Sequence, residues 1–480
     1  MKILVTGGAG YIGSHTIIDI VENTNHEVVS IDNFSNSEPE TFERIEQITG
    51  KRVKNYDIDL TAYNSLKELF FEKEGPIDGI IHFAALKAVG ESVEKPVEYY
   101  HNNLNGMLNL LKCVQKYKVK HFIFSSSCTV YGNADMQPVT EETPTKLPES
   151  PYGYTKLIGE NILRDFSKTK AGFSAISLRY FNPVGAHSSG LNGELPKGRP
   201  NNLVPIVTQY ASGWIEDLTV YGDDYETRDG TAIRDYIHVM DIAHAHVLAL
   251  EYLENQIESK PYEVFNLGTG IGVTVLEVLN SFIKATGMNL DYQIGKRRSG
   301  DVACIYANNS KARNSLHWDP KYTIDDAMLT AWRQSIQERP ELVPTQALMN
   351  AVIMALGARL PKSAWDGSMT NAGGTANMPP ASEWLQFRDV MLRWNSMVKS
   401  DADRRRSLAV ASGVIPTSAT DAQTLGVAEL VIRTMNVMGD VDRGPRSTHV
   451  IYETISALRQ IGLINDARQL AVESLISAGL

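Results

Sequence analysis

Three side chains have the types and spacing needed to move a proton to or from an alcohol. Tyr152 and Lys156 lie four residues apart, and Ser127 ends a run of three serines that follows an apolar stretch. On a helix, Tyr152 and Lys156 would share one face, and the ammonium group of Lys156 would lower the pKa of Tyr152. Tyr152 would then act as a base while Ser127 hydrogen-bonds the reacting hydroxyl. An isolated pair with this spacing is more often structural, so the prediction depends on its context.

A glycine-rich segment supplies that context. Gly7, Gly10 and Gly13 follow an apolar run and open a helical pattern. The first glycine allows a tight turn, the second lets the backbone approach a pyrophosphate, and the third permits close packing of helix on strand. Asp32 comes nineteen residues after Gly13, where a carboxylate would accept ribose hydroxyls and repel a 2′-phosphate. The pattern predicts binding of NAD rather than NADP, and the positive nicotinamide ring would also favour the tyrosinate form of Tyr152.

The elements that would position these residues alternate between strand and helix. Short apolar, β-branched runs occur at residues 3–6, 27–31, 79–83, 121–124 and 175–178, with longer amphipathic stretches between them. This order predicts an α/β fold with a Rossmann-type doubly wound parallel sheet, whose carboxyl edge would carry both groups of residues. We predict an NAD-binding domain at 1–182, to which some later segments return. The irregular pattern that follows predicts a smaller α/β substrate region at 183–338.

Amino-acid usage changes near Arg339-Pro340. Residues 1–340 contain 21 Lys and 12 Arg, whereas residues 341–480 contain 2 Lys, 11 Arg and a single tyrosine. Such different usage indicates two segments of different origin. Apolar residues at helical spacing predict a mostly α-helical C-terminal domain at 341–480, with helices near 348–356, 384–397, 425–438 and 448–463 and a loop at 367–382.

Bulk composition restricts the partners. A formal net charge of −10 argues against nucleic acid and against an acidic membrane surface. Cys113, Cys128 and Cys304 are far apart and lack CxxC spacing, so we expect no disulfide framework and no metal site. The sequence shows no leader pattern and no apolar run long enough to span a membrane, and we therefore expect a cytoplasmic protein.

Six segments resemble the UDP-glucose 4-epimerases, a family of extended short-chain dehydrogenases/reductases. They are TGGAGYIGSH, HFAALKAVGESVEKP, FSSSCTVYG, SPYGYTK, LRYFNPVGAH and RDYIHVMD, in this order within residues 1 to about 338. The resemblance implies interconversion of UDP-galactose and UDP-glucose. Tyr152 would remove the proton of the sugar 4-hydroxyl, NAD would oxidise C4 transiently, and the 4-keto sugar would turn before reduction. It also implies a homodimer formed through two helices of the dinucleotide domain.

The resemblance further implies roles for individual residues. At the pyrophosphate it places Gly7, Gly10, Tyr11, Ile12 and Gly13. On the adenosine side it places Asp32, Asn33, Asn36, Asp59 and Leu60. Around the nicotinamide half it places Phe83, Ala84, Ala85, Lys87, Asn102, Tyr152, Lys156 and Phe181. For the UDP-hexose it implies Ser127, Asn182, Asn202, Leu203, Tyr221, Arg234, Arg298 and Asp301, of which the arginines suit a diphosphate because guanidinium groups present paired donors.

Particular residues argue for or against other activities. A nucleotide-sugar 4,6-dehydratase needs an additional acid and base after the serine strand, whereas Cys128-Thr129-Val130 carries no carboxylate. Ile305 is intermediate in size at a position where the family varies, so acceptance of UDP-N-acetylhexosamines stays open. A non-catalytic NAD-binding scaffold is a further alternative, against which Ser127, Tyr152 and Lys156 argue. Cys128 is given no role. The C-terminal segment is either a helical interaction module or a passenger joined by fusion.

Overall fold

The computed structural model describes residues 1–255, 260–286, 288, 290–298 and 301–337. The helices and the loop predicted within 341–480 lie outside these described residues. Within the described ranges, no helix combines the length and the apolar character that crossing a bilayer requires.

The strands of the described residues are mostly short. Their bounds are β1 Lys2–Thr6, β2 Glu27–Ile31, β3 Lys54–Tyr56, β4 Gly79–His82, β5 His121–Ser127, β6 Ser174–Tyr180, β7 Asn182–Val184, β8 Thr219–Tyr221, β9 Ile233–Arg234, β10 Tyr236–His238, β11 Tyr262–Leu267, β12 Val273–Thr274, β13 Gln293–Gly295 and β14 Cys304–Ile305.

The helices alternate with the strands in the first half of the chain. Their bounds are α1 Tyr11–Asn23, α2 Glu40–Thr49, α3 Tyr63–Ser65, α4 Glu72–Glu74, α5 Val89–Glu94, α6 Pro96–Tyr100, α7 Gly106–Tyr117, α8 Pro151–Thr169, α9 Leu203–Ala211, α10 Val239–Asn255, α11 Val275–Thr286, α12 Ser310–Leu316 and α13 Ile324–Gln337. The described residues also contain two π-helical segments, Leu66–Phe71 and His101–Asn105, and one 3-10 turn, Cys128–Tyr131.

Seven strands form one parallel sheet in the order β11-β6-β5-β4-β1-β2-β3. The strand order reverses direction along the chain between β1 and β4, which is the point where doubly wound sheets bind ligands. The Rossmann-type sheet predicted from the alternating pattern is therefore confirmed. The irregular part of the sequence, from Asn182 onwards, forms three smaller sheets: β7 with β10, β8 with β13, and β9 with β12 and β14.

Both faces of the central strands β1, β4, β5 and β6 are buried, which explains the apolar runs from which these strands were predicted. In β1, Ile3 and Val5 pack into one core with α1 and α10, whereas Leu4 packs into the opposite core with α7. Successive side chains of a strand point to opposite faces, so a strand covered on both sides has no polar alternation. These two cores hold the strand ends that carry the functional residues.

Several predicted strand boundaries need correction: β1 begins at Lys2 rather than at residue 3, and β6 spans Ser174–Tyr180 rather than 175–178. The strand predicted at 121–124 continues to Ser127, because all three serines pair with β6. The strand predicted to end at Phe83 ends at His82. Strands β3 and β11 were not predicted; β11 comes late in the sequence and still pairs with β6 at the edge of the large sheet.

Candidate active site

The turn between β1 and α1 has the geometry that its glycines require. Gly7 has a positive φ of 74°, and a Cβ there would lie 2.7 Å from the backbone nitrogen of Ala84. A Cβ at Gly13 would lie 2.2 Å from the Gly7 carbonyl oxygen, so only glycine allows this close contact of helix and turn. Gly10 precedes α1 without a side-chain cap, which leaves the first N–H groups of the helix available to an anion.

Asp32 closes the other side of this turn. Its carboxylate accepts hydrogen bonds from the backbone N–H groups of Ala9 and Phe34, each at 2.9 Å, and from the Ser37 hydroxyl at 2.8 Å. The side chain is 8% exposed and follows β2 directly. These bonds fix the carboxylate at the carboxyl edge of the sheet beside the glycine turn.

The remaining residues predicted on the adenosine side lie on neighbouring loops. Asn33 and Asn36 are exposed just after Asp32, and Asp59 is exposed next to the buried Leu60. Asp59 accepts hydrogen bonds from the N–H and hydroxyl of the following Thr61, each at 2.8 Å. The structure therefore places these residues on the loops that follow β2 and β3.

Four of the residues predicted for the nicotinamide half, Phe83, Ala84, Ala85 and Lys87, follow β4. The N–H groups of Phe83 and Ala84 donate to the Thr6 carbonyl, at 2.9 and 3.1 Å, which keeps this segment against the glycine turn. Asn103, which the sequence analysis missed, bonds both the N–H and the carbonyl of Leu86, at 2.8 and 3.0 Å. It also donates to the Thr155 hydroxyl on α8 at 3.1 Å. Its only sequence signal is its position beside Asn102, which donates to it at 2.9 Å.

Ser127, Tyr152 and Lys156 are brought together by β5 and α8. Ser150 caps α8 by accepting a hydrogen bond from the Gly153 N–H at 3.2 Å, so the helix begins immediately before Tyr152. The Lys156 ammonium donates to the carbonyl of Ser125 at 2.7 Å and lies 5.7 Å from the centre of the Tyr152 ring. Ser127 ends β5 beside them.

The charge balance in this group differs from the prediction that Lys156 lowers the pKa of Tyr152. Burial, with a smaller contribution from Cys128, raises the pKa of Tyr152 to about 12, although hydrogen bonding with Ser127 acts to lower it. Burial also lowers the pKa of Lys156 to about 7, because a low-dielectric site disfavours its ammonium form. Among the residues that the structure describes, Ser127 is therefore the group that favours the tyrosinate.

A second group of predicted residues lines a single cavity next to this site. Seven of the eight substrate positions contribute to its wall, and they come from four elements, β7, β8, β9 and α9, and from two loops. They are Asn182, Asn202, Leu203, Tyr221, Arg234, Arg298 and Asp301. The eighth, Ser127, lies in β5 beside Tyr152.

The two arginines of this cavity are held by different contacts. Arg234 forms an ion pair with Asp301 at 3.0 Å, and its guanidinium group is 14% exposed. The guanidinium of Arg298 lies 4.2 Å from the centre of the Tyr221 ring, which is a cation–π geometry. Both cations therefore line the same cavity, and paired guanidinium donors of this kind suit a diphosphate ligand.

Glu194 connects the two halves of the site and was missed by the sequence analysis. One of its carboxylate oxygens accepts hydrogen bonds from the Lys87 ammonium at 3.1 Å and from the Asn202 amide at 2.7 Å. Lys87 was predicted to face the nicotinamide half and Asn202 the UDP-sugar. The loop that carries Glu194 has no periodic pattern, so no sequence signal pointed to it.

A small apolar cluster joins the catalytic strand to the cavity. Cys128, Phe181 and Ile305 are all buried in it, at 8%, 5% and 5% exposure. Ile305 pairs in register with Arg234, and Asn182 follows Phe181 directly. Burial raises the pKa of the Cys128 thiol to about 12, so this cysteine is a packed apolar residue at neutral pH.

The parallel sheet, the glycine turn and the Ser-Tyr-Lys group define a member of the short-chain dehydrogenase/reductase class that acts on a nucleotide sugar. Residues 4–330 match the family model described as GDP-mannose 4,6 dehydratase. The chain belongs to the UDP-glucose 4-epimerase family. It is 48% identical over 333 residues to the UDP-glucose 4-epimerase of Bacillus subtilis (strain 168), which covers 69% of this chain and 96% of that one.

Other similar proteins and solved structures are also UDP-glucose 4-epimerases. A UDP-glucose 4-epimerase of Drosophila melanogaster is 46% identical over 341 residues, which are 70% of this chain and 96% of that one. The crystal structure of UDP-glucose 4-epimerase from Bifidobacterium longum, in complex with NAD+ and UDP, is 49% identical, with a TM-score of 0.67 over 71% of this chain and 99% of that chain. A UDP-glucose 4-epimerase from Brucella ovis, crystallised with NAD, has 37% identity and a TM-score of 0.63, covering 69% of this chain and 97% of that chain.

Proposed function

We propose that residues 1–337 form an NAD-dependent epimerase that interconverts UDP-galactose and UDP-glucose by transient oxidation at sugar C4. The observation that carries this proposal is the arrangement of two groups of residues. Ser127, Tyr152 and Lys156 meet at the carboxyl end of β5, and the cavity with Arg234 and Arg298 adjoins them through the apolar cluster of Cys128, Phe181 and Ile305. The Ser-Tyr-Lys group can exchange a proton with an alcohol, and the two arginines can bind a diphosphate.

NAD fits the residues at the glycine turn. A Cβ at Gly10 would meet only the Gly7 carbonyl, at 3.2 Å, among the described atoms within 4 Å, so the space beside the uncapped start of α1 is open. Gly7, Gly10, Tyr11, Ile12 and Gly13 would hold the pyrophosphate, and Asp32 the adenosine ribose. The other residues of this site would be Asn33, Asn36, Asp59, Leu60, Phe83, Ala84, Ala85, Lys87, Asn102 and Phe181. When bound, NAD supplies the hydride acceptor for C4 and the donor that returns the hydride.

The side chains of the chain move the proton. Tyr152 accepts the proton of the sugar 4-hydroxyl, and Ser127 holds that hydroxyl by a hydrogen bond. Because burial favours the neutral phenol, the tyrosinate depends on Ser127 and on positive charge that arrives with the cofactor. Lys156 donates to the Ser125 carbonyl, which fixes its ammonium group near Tyr152, and it would also hold the nicotinamide ribose. Tyr152 would return its proton to the 4-oxygen as the hydride adds to the opposite face of C4, which completes the inversion.

Inversion also requires the sugar to turn while the nucleotide stays in place. Arg234 and Arg298 would hold the diphosphate, with Asn182, Asn202, Leu203, Tyr221 and Asp301 completing the wall of the cavity. A guanidinium bound to two phosphate oxygens restrains the linkage strongly, while the sugar beyond it can rotate about the diphosphate bonds. The 4-keto sugar therefore presents its other face to the same hydride donor and the same tyrosine.

A 4,6-dehydratase, the activity in the description of the family model, lacks its catalysts at this site. Cys128-Thr129-Val130 follows β5 as a 3-10 turn in which Cys128 and Val130 are buried. The segment holds no carboxylate, so elimination of water across C5 and C6 has no acid and base there. We therefore favour epimerisation of plain hexoses; Ile305, the position on which acceptance of N-acetylated sugars would depend, is buried in the apolar cluster with Cys128 and Phe181.

Purified protein incubated with UDP-galactose tests the proposal. We expect UDP-glucose to form without added oxidant, since the cofactor is regenerated in each cycle, and nuclear magnetic resonance of the sugar signals would follow the conversion. Bound NAD without conversion of either UDP-hexose would instead support the non-catalytic scaffold and contradict the proposal.

We propose a homodimer formed through the outer face of helices α5 to α8. Val89, Val93 and Val97 are spaced four residues apart and are 50%, 61% and 75% exposed. Leu108 on α7 and Tyr154 on α8 are also exposed, and α5 and α6 both pack on α8. A row of apolar side chains on neighbouring helices is a surface that a second copy would cover.

We also propose the boundaries and the location of the protein. The NAD-binding domain would comprise 1–182 with β11 returning to it, and the UDP-sugar region 183–338. Residues 341–480 would be a helical domain joined by fusion, and deletion of 341–480 that leaves epimerase activity and dimerisation unchanged would support that assignment.

Three free cysteines suit a reducing compartment such as the cytoplasm.

A further inference from the structure

Three side chains of helix α8, one on each of three successive turns, interact with the three serines of β5. Tyr152, Lys156 and Glu160 are four residues apart and therefore lie along one side of the helix. Tyr152 interacts with Ser127, the Lys156 ammonium donates to the Ser125 carbonyl at 2.7 Å, and the Ser126 hydroxyl donates to Glu160 at 2.6 Å. The first two contacts belong to the site described above, whereas Glu160 and Ser126 touch neither substrate nor cofactor in the proposed function.

The Glu160 carboxylate is buried and fully engaged. It accepts hydrogen bonds from the Nε and a terminal nitrogen of Arg179, at 2.8 and 2.6 Å, in addition to the Ser126 hydroxyl. Glu160 and Arg179 are 4% and 5% exposed, and Arg179 also donates to the Tyr131 hydroxyl at 2.9 Å. A buried ion pair is a weak source of stability compared with apolar packing, but its bidentate geometry is strict. Its presence here indicates a role in fixing geometry.

We infer that Glu160 is a positioning residue that fixes, through Ser126, the register of Tyr152 and Lys156 on α8 against Ser125 and Ser127 on β5. Ser126 lies between the two serines that the catalytic side chains contact, and adjacent strand residues are only about 3.3 Å apart. The hydrogen bond from the Ser126 hydroxyl to Glu160 therefore also restrains the positions of Ser125 and Ser127. The kinetic part of this inference rests on the proposed epimerase function.

Ser126→Ala separates the strand contact from the ion pair, because Glu160 and Arg179 keep each other as partners. Ser167→Ala is the matched control: Ser167 is on the same helix, is 2% exposed, and its hydroxyl has no hydrogen-bond partner among the described residues. In the holoenzyme, we expect Ser126→Ala to lower kcat on the order of tenfold with KM for UDP-galactose unchanged, since a small displacement of reacting groups is costly. Ser167→Ala keeps the values of the unmodified protein.

A titration without turnover keeps this test independent of the epimerase assay. The tyrosinate absorbance that is lost in Tyr152→Phe reports the pKa of Tyr152. We expect Ser126→Ala to raise that pKa, because Ser127 is released from the position in which it favours the tyrosinate. A Tyr152 titration and a kcat that are the same in Ser126→Ala as in Ser167→Ala overturn the inference. Absence of epimerisation in the unmodified protein overturns the proposed function, while the titration still decides the role of Glu160.

Discussion

At the scale of single residues, the site holds a tyrosine and a lysine whose ordinary ionisation is suppressed. Tyr152 favours its phenol form and Lys156 loses its proton more readily than in water, in both cases because the side chains are buried. A buried base of this kind is inactive until positive charge enters the site. Proton transfer would therefore be coupled to cofactor binding, which protects the chain from unproductive chemistry.

Replacing the phenol with a phenyl ring tests the role of Tyr152. We expect Tyr152→Phe to lower kcat by about 10²–10⁴-fold, because positioned proton transfer contributes that much to a rate. NAD content of the purified protein should stay unchanged, since the glycine turn and Asp32 are intact. Steady-state kinetics with UDP-galactose and the absorbance of released NAD measure both quantities. A Tyr152→Phe variant with the kcat of the unmodified protein would show that another group carries the proton.

Lys156 gives the NAD-free protein a characteristic dependence of stability on pH. Its folded pKa is about 7, and its unfolded value is about 10.5. Between these values the unfolded chain binds the extra proton, so the free energy of unfolding should rise with pH, by at most about 1.4 kcal/mol per pH unit. Below pH 7 and above pH 10.5 Lys156 contributes no slope.

Urea unfolding of the NAD-free protein at several pH values measures this slope. Lys156→Met should flatten the curve between pH 7 and 10.5, whereas Lys120→Met, at an exposed position, should leave it unchanged. Equal slopes in the two variants would mean that Lys156 titrates as an exposed lysine does.

At the scale of elements, the turn between β1 and α1 depends on the absence of a side chain at Gly13. We expect Gly13→Ala to destabilise the protein by about 1–3 kcal/mol, because the new methyl group overpacks against the Gly7 carbonyl. It should also weaken NAD binding, since α1 must move away from the turn. Thermal unfolding and NAD titration measure the two effects.

Gly90→Ala is the control for this change. Gly90 is also helical, but a Cβ there has no described atom within 4 Å. This substitution should be neutral or stabilising by up to about 1 kcal/mol. If both variants bind NAD equally well, the tight contact at Gly13 is not required for the cofactor site.

The elements that the sequence predicted well are those with a local signal. The central buried strands follow from apolar runs. The start of α8 also carries a local signal in its sequence, with Ser150 as the cap and Pro151 as the first helical residue. Strand β3, Lys54–Tyr56, has no apolar run because it lies at the sheet edge and is only partly buried. Asn103 and Glu194 act through contacts with distant residues, which spacing along the chain does not encode. The arginine pair was found only through resemblance, since its members are 64 residues apart.

At the scale of the whole molecule, the outer face of α5 to α8 decides the state of assembly. Val97→Asp should shift the protein from dimer to monomer, because it places a charge in the middle of the proposed apolar interface. Met136→Asp is the matched control, since Met136 is 80% exposed and lies outside these helices. Sedimentation velocity of the two variants separates the outcomes, and a Val97→Asp protein that stays dimeric would place the interface elsewhere.

The central claim is that one hydride leaves C4 and returns to the same carbon. UDP-galactose that carries deuterium at C4 tests this most directly, with the product followed by nuclear magnetic resonance and mass spectrometry. The proposed mechanism predicts UDP-glucose that keeps the deuterium at C4, because Tyr152 exchanges only the hydroxyl proton with the site. Deuterium lost to water, or found on another carbon of a dehydrated sugar, would contradict an epimerase that acts by transient oxidation at C4.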